Sequence, residues 1–381
     1  YDMGIMGIGT CVLGYANDDI NIAVKKGVDK GSMSTLNAPE EVALAEKLLD
    51  KHSWADCARF ARTGGEAVAI AIRIARAYTK KTKVAFCGYH GWHDWYLSAN
   101  LNDEDNLDNQ LLPGLSTDGI PKELKNTSFP FVYGDYKQFD KLIKHLDSEL
   151  GIVIMEVQRY KSIDVDFLKY VQKKARNLGA VLIFDEISSG FRVNVGGMHL
   201  LYDIEPDIVL FGKALGNGFP ISAILGKREV MEAAQNTFIS SSYWTERIGY
   251  IAALTTLDFF EKNNVIDKIC ETGRFIRKRL TEIFEKNKLN IDVSGGLDSV
   301  VLMTIKEQKP LLLKTIFIQE MLKRGYLASN LIYVSYSHTK NIVDAYLKDA
   351  SEVFKIIASN KDNLEKLLDS EVSHSGFERL N

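Results

Sequence analysis

The sequence predicts an α/β protein: a large domain built on a mainly parallel central sheet, followed by a smaller α+β domain. Three observations carry this. Between residues 151 and 226, unbroken Val/Ile/Leu runs alternate with a helical pattern, and such runs mark strands covered on both faces. Beyond Ser240 the pattern changes to long helical stretches separated by short β-type runs. The chain has 381 residues, 46% hydrophobic and 25% charged, a globular balance with room for two domains.

In chain order, EEVALAEKLLDK (40–51) and EAVAIAIRIARAY (66–78) space their apolar residues as helices do, the second just after Gly64-Gly65. TKVAFC (82–87) reads as a short strand. Residues 98–130 are rich in Asn, Asp, Gly and Pro with little periodicity, and so long a loop within a domain is usually functional. GIVIMEV (151–157), AVLIFDE (180–186) and DIVLFG (207–212) are buried strands, AILG (223–226) reads as a fourth, and FLKYVQKKARNLG (167–179) is a helix. IGYIAALTTLDFFEKN (248–263) and KICETGRFIRKRLTEIFEKN (268–287) are long helices. A strand over 300–305, a helix over 311–324, short strands within 326–336 and a last helix from 340 complete the small domain. The divisions expected are an N-terminal segment (1–39) that joins the small domain, a large domain (40–255) and a C-terminal small domain (256–381). Tyr1 opens in mid-element, so this numbering is expected to begin inside a longer chain.

Forty-seven basic and 50 acidic residues leave a net charge of −3, which gives no electrostatic footprint for nucleic acid. No apolar run approaches the ~20 residues that span a bilayer. Cys11, Cys57, Cys87 and Cys270 are scattered without a CxxC pair, the pattern of reduced thiols in the cytoplasm.

In an open α/β sheet, ligands bind outside the carboxyl ends of the strands. Asp185 and Lys213 fall at such ends, and Gly64-Gly65 opens a helix. A strand-end lysine is ordinarily a snorkelling one. A P-loop fails, because GxxxxGK[ST] needs Gly at 207 and Ser or Thr at 214, where the chain has Asp207 and Ala214. A Schiff-base lysine is the third reading, since partial desolvation frees a neutral amine to attack a carbonyl. Asp185 alone reads as a cap or a paired acid. A pyridoxal phosphate enzyme, however, needs one carboxylate against the pyridine nitrogen. Gly64-Gly65 is either a plain turn or an anion seat, where helix-start N–H groups and the dipole face a phosphate. CGYHGWHDWY (87–96) is core, or it presents Tyr89 to stack on a flat ring. His90 and His93 lack a third ligand nearby, so packing or a supporting role outweighs a metal site. No GxGxxG opens a strand–helix unit, which leaves a dinucleotide site without its fingerprint.

The stretches TGGEAVAIAIRIARAYT, YHGWHD, LLPGLSTDGIP, LIFDEISSGFRV, PDIVLFGKALGNGFPISAILGKREVME and YLAS…SHT together resemble the class III aminotransferases, of the fold type I pyridoxal phosphate enzymes. The nearest subgroup is that of the glutamate-1-semialdehyde 2,1-aminomutases. The resemblance runs from about Gly4 to about Thr339. It implies pyridoxal 5'-phosphate as cofactor, held covalently by Lys213, with Asp185 on the pyridine nitrogen. It implies Ile187 against one ring face, Tyr89 over the other, and the Gly64 and Gly65 backbone on the phosphate. Ser242, with Thr245 as a nearby substitute, aligns with a residue that completes the neighbouring subunit's phosphate site, so a homodimer is implied. Glu156 matches an acid at the cofactor edge.

The departures lie in the substrate half. Thr245-Glu246-Arg247 replaces a frequent Gly-Asn-Pro, Asn330 aligns near an aminomutase glutamate, and Ile8 stands where that subgroup has tryptophan. The expectation is a transaminase passing an amino group from a donor to a carbonyl acceptor, with an aminomutase second and a non-catalytic cofactor-binding protein third. Glu246, Arg247 and Asn330 are the substrate candidates. An Arg–Glu pair can meet carboxylate, phosphate or sugar hydroxyls, which leans the acceptor toward a sugar or another polar carbonyl, as in surface-polysaccharide synthesis. An interface ion pair is the competing reading, and the residues alone leave both open.

Overall fold

The computed structural model describes all residues except 111, 159–161, 295, 375 and 377–381. Its centre is a seven-stranded sheet. In chain order the strands are β1 (Cys57–Ala61), β2 (Lys83–Cys87), β3 (Ser128–Pro130), β4 (Leu150–Glu156), β5 (Val181–Asp185), β6 (Ile208–Phe211) and β7 (Ser222–Gly226). The spatial order is β1-β7-β6-β5-β4-β2-β3. Strands β3, β2, β4, β5 and β6 pair in parallel; β7 pairs antiparallel with both β6 and β1. Only β7 therefore runs against the rest.

Alternation along each strand shows why the sheet is buried. Val84, Phe86, Ile152, Ile154, Ile183, Ile208 and Leu210 belong to one apolar cluster, whereas Ala85, Val153, Met155, Phe184, Val209 and Phe211 belong to another. Successive side chains point to opposite faces, so two cores sandwich the sheet.

Among the described residues there are nine α-helices of two turns or more: α1 (Asp18–Asp29), α2 (Pro39–Leu49), α3 (Gly64–Thr79), α4 (Tyr136–Leu146), α5 (Val165–Asn177), α6 (Ile248–Lys262), α7 (Val265–Lys286), α8 (Pro310–Lys323) and α9 (Lys340–Ser359). Helix α3 lies across β4–β7, and its Ala67, Ala71 and Ala75 are fully buried, so small side chains let it sit close to the sheet. Helix α6 packs on α1 and α2 and leads into α7–α9, which pack on one another.

Among the described residues, three two-stranded ribbons complete the C-terminal part. Val300–Leu302 pairs with Leu331–Tyr333, and Ile291–Asp292 with Thr304–Ile305. Asp2–Met3 adds in parallel to Leu327–Ala328, which ties the N-terminal segment to the far end of the chain. The expected strand over 300–305 is interrupted at Met303, whose N–H bonds to the Asn330 carbonyl instead of a continuous ladder. Strands β1 and β3 and helices α1 and α4 had no expectation in the sequence, and β3 closes the stretch read as a loop over 98–130. Within LLPGLSTDGIP, Leu111 lies outside the described residues.

Candidate active site

Because β5 and β6 are parallel neighbours in register Asp185↔Leu210, their carboxyl ends bring Asp185 and Lys213 to one sheet edge. Helix α3 starts at the same edge, capped by Thr63, whose Oγ1 accepts from the Glu66 N–H at 3.3 Å. A cleft of about 470 Å³ lies between them, within the range of small-molecule sites. Gly64, Gly65, Tyr89, Asp185, Ile187 and Lys213 all line it.

Lys213 Nζ donates to Ser188 Oγ at 2.7 Å. The Lys213 backbone has φ +42°, a left-handed value that costs a non-glycine residue about 1–2 kcal/mol. Strain of this kind concentrates at functional sites. Asp185 is 4% exposed. Its Oδ1 accepts from the Ile187 N–H at 3.0 Å, and its Oδ2 faces His90 Nδ1 at 2.8 Å. His90 Nε2 donates to the Cys87 carbonyl at 3.1 Å. Both ring nitrogens thus face acceptors.

The start of α3 is an open cradle. The Gly64 and Gly65 N–H groups have no acceptor among the described residues. A Cβ on Gly64 would lie 3.0 Å from Ile187 Cδ1, and one on Gly65 2.8 Å from His93 Cε1. A side chain at either position would press on Ile187 or His93, whose side chains would have to shift. The donors, the ring-sized cleft, the buried carboxylate and the lysine fit pyridoxal phosphate as a set.

Glu156 stands beside Asp185 across the β4–β5 ladder, and its Oε2 accepts from the Tyr89 N–H at 3.2 Å. Gly88, at φ +110°, makes room for that carboxylate. Tyr89 meets Tyr96 edge-on at 5.8 Å. Sequence reasoning missed Ser188 as a partner of Lys213 and left His90 without one. The signal for Ser188 was its place three residues past Asp185 at the same strand end.

The remaining candidates sit elsewhere in the single chain. Ser242 is exposed, and Thr245 lines a separate, larger surface cavity of about 1050 Å³. Arg62 fastens this loop, donating to the Tyr243, Trp244 and Glu246 carbonyls. Arg247, expected to face substrate, instead forks onto Glu40, with Nη2 to Oε1 at 2.6 Å and Nε to Oε2 at 3.1 Å. That pair holds the Glu40 carboxyl below its usual range. Glu246 accepts from the Ile248 and Gly249 N–H groups, and Asn330 Nδ2 donates to the Met303 carbonyl. None of these five residues lines the 470 Å³ cleft.

A family model described as "Aminotransferase class-III" matches residues 1–334. The 2'-deamino-2'-hydroxyneamine transaminase of Streptomyces kanamyceticus is 30% identical, over 75% of this chain and 69% of its own. A glutamate-1-semialdehyde 2,1-aminomutase of Sulfurihydrogenibium azorense is also 30% identical, over 93% of this chain and 87% of its own. Among solved structures, the "PLP internal aldimine form" of the FumI protein of Sphingopyxis sp. MTA144 overlays with a TM-score of 0.85 at 22% identity, covering 96% of this chain and 87% of that one.

Proposed function

The chain belongs to the class III aminotransferase family, and from that premise we propose that the cleft at the ends of β5 and β6 is where it moves an amino group from a donor to a carbonyl acceptor. The reaction is pyridoxal phosphate-dependent. The carrying observation is the convergence of Lys213 Nζ, the Asp185 carboxylate and the open start of α3 on one cleft.

When bound, pyridoxal phosphate supplies an aldehyde that joins amines and a ring that accepts electron density. Lys213 would hold it covalently and, once displaced by substrate, move a proton between the substrate carbon and the cofactor side. Ser188 Oγ gives the Lys213 amine a partner at 2.7 Å, so its position is fixed before the cofactor arrives. Asp185, held by the Ile187 N–H and by His90, would keep the ring nitrogen protonated. A preorganised, buried charge of this kind needs no reorganisation during reaction. Ile187 and Tyr89 would flank the ring, the Gly64 and Gly65 N–H groups would take the phosphate, and Glu156 would sit at the cofactor edge.

The 240–247 loop is read as serving the partner copy of a homodimer, with Ser242 or Thr245 on the partner's phosphate site. The exposure of Ser242 and the absence of both residues from the lining of this chain's own cleft support that. Light scattering of the purified protein checks the dimer. The lack of a disulfide among the described cysteines supports a cytoplasmic place, and no described helix is long and apolar enough to cross a membrane. The Streptomyces relative's named substrate supports a polar carbonyl acceptor. The substrate roles of Glu246, Arg247 and Asn330 require their present partners to be released.

Lys213→Ala should abolish both the visible absorption of bound cofactor and turnover; retention of both would overturn the assignment. The aminomutase relative supports a second reading, in which the amino group returns to a neighbouring carbon of the same substrate. Turnover of a candidate substrate without any added keto acid selects the mutase, and strict dependence on the keto acid selects the transaminase.

A further inference from the structure

Next to Asp185, on the side away from the cleft, lies a buried polar chain that no step above uses. Glu186 is fully buried, yet its carboxylate meets four donors. Oε1 accepts from His199 Nδ1 at 2.6 Å and from the His199 N–H at 3.1 Å. Oε2 accepts from Ser189 Oγ at 2.9 Å and from the Met198 N–H at 2.7 Å. Trp54 Nε1, which can only donate, gives to His199 Nε2 at 3.1 Å. This fixes the His199 tautomer: the proton is on Nδ1 and points at Glu186. The direction Trp54→His199→Glu186 is therefore determined by the partners, and the buried carboxylate has its lone pairs filled.

The backbone of Glu186 is held as firmly. Its N–H donates to the Leu210 carbonyl of β6 at 3.0 Å, and its carbonyl accepts from the Gly190 N–H at 2.8 Å. The returning segment closes over it only because residue 197 is glycine: a Cβ there would lie 2.5 Å from Glu186 Oε1 and 2.4 Å from His199 Nδ1. The turn pinned this way, residues 185–190, carries Asp185, Ile187 and Ser188, three of the groups that line the cleft. Glu186 lies between the first two in sequence and faces the other way.

We propose that Glu186, oriented by His199 and Trp54, is the positioning residue that sets Asp185 and Ser188 against Lys213. The inference rests on the aminotransferase reading above. It adds that the geometry of the reacting groups is fixed by a carboxylate that touches neither cofactor nor substrate. Misplacing a reacting group by about 1 Å costs on the order of 100-fold in rate, so a small tilt of this turn is enough to register.

The test compares wild type with Glu186→Gln, which keeps the shape but puts an amide NH2 where one oxygen accepts from two of the four donors, and with Trp54→Phe, which deletes the N–H that orients His199. Each is read by thermal melting of the apo form, by pyridoxal phosphate titration, by the pH midpoint of the bound cofactor's visible absorption, and by kcat and KM. Positioning predicts that Glu186→Gln at full cofactor occupancy loses roughly 10- to 100-fold in kcat with the donor KM little changed. It also predicts an upward move of the absorption midpoint, because a ring nitrogen less well met by Asp185 draws less electron density. Trp54→Phe moves kcat and midpoint the same way by less. If Glu186→Gln does not fold, Trp54→Phe alone decides. Wild-type kcat and midpoint in the folded variants, with only the melting temperature lowered, overturn the proposal and leave a purely structural network. Failure of wild type to bind pyridoxal phosphate would instead sink the parent reading.

Discussion

At the scale of single residues, the cleft is a set of acceptors and donors whose protons can be placed. His90 is the test case. Its Nδ1 meets Asp185 at 2.8 Å inside the protein, and a hydrogen bond to a charged group contributes roughly 1.5–3 kcal/mol. His90→Phe should therefore lower kcat/KM by about 10- to 150-fold, at 1.36 kcal/mol per decade. Steady-state kinetics at saturating cofactor check this, and an unchanged kcat/KM would show that Asp185 is oriented without it. Lys213 and Asp185 were legible in the sequence as a set: each alone has an ordinary strand-end reading, and only their order with Gly64-Gly65 and Tyr89 asks for one cofactor. His90 was not, since its function depends on β2 and β5 being two strands apart with β4 between them, and spacing in sequence does not contain that distance. Ser188 was hidden for a related reason: serines are common in turns, and only the fold shows that this hydroxyl meets the lysine.

At the scale of elements, the start of α3 and the turn after β2 are fitted to each other. Gly91 has φ +96°, and a Cβ on it would lie 3.0 Å from Gly65 Cα. Backbone cannot step aside as a flexible side chain does. Gly91→Ala adds a left-handed alanine, at about 1–2 kcal/mol, and presses on the glycines proposed to hold the phosphate. The expected result is a pyridoxal phosphate affinity lower by roughly 5- to 30-fold, read by titration of the apo form. An unaltered affinity with a lowered melting temperature would place the phosphate elsewhere. Helix α3 itself was legible, through the two glycines and the apolar spacing behind them. The direction of β7 was not: SAILG has the same apolar character as its parallel neighbours, and direction is decided by the β6–β7 connection, which packs Ala214 and Leu215 into the core before turning back. Strand β1 was missed because Arg59 interrupts a five-residue run, and its pairing comes from β7, more than 160 residues away in sequence.

At the scale of the whole molecule, the layers are joined by buried polar groups whose protonation the fold has chosen, and this gives stability a pH dependence. His52 sits where α2 hands over to β1. It is fully buried, with Nδ1 on the Leu48 carbonyl at 2.7 Å, its ring 5.5 Å from that of His199 and 5.2 Å from that of Phe211. Burial pushes its pKa from 6.5 down to about 4, so the native state keeps it neutral where the unfolded chain would take a proton. Acid therefore favours unfolding: the contribution is intact above pH 6.5 and is lost as pH falls toward 4. At 1.36 kcal/mol per unit the full span is on the order of 3 kcal/mol. Buried His338 is shifted the same way and adds to the slope. His52→Phe keeps an aromatic ring among Trp54, His199 and Phe211 but cannot take the proton. Its unfolding free energy should consequently fall less than that of wild type between pH 7 and pH 4.5. Denaturant unfolding of the two proteins at pH 7.0, 5.5 and 4.5 measures the difference. Parallel pH curves would mean that His52 takes up its proton without opening the layer between α2 and the sheet, and the coupling of that layer to acid would have to lie at His338.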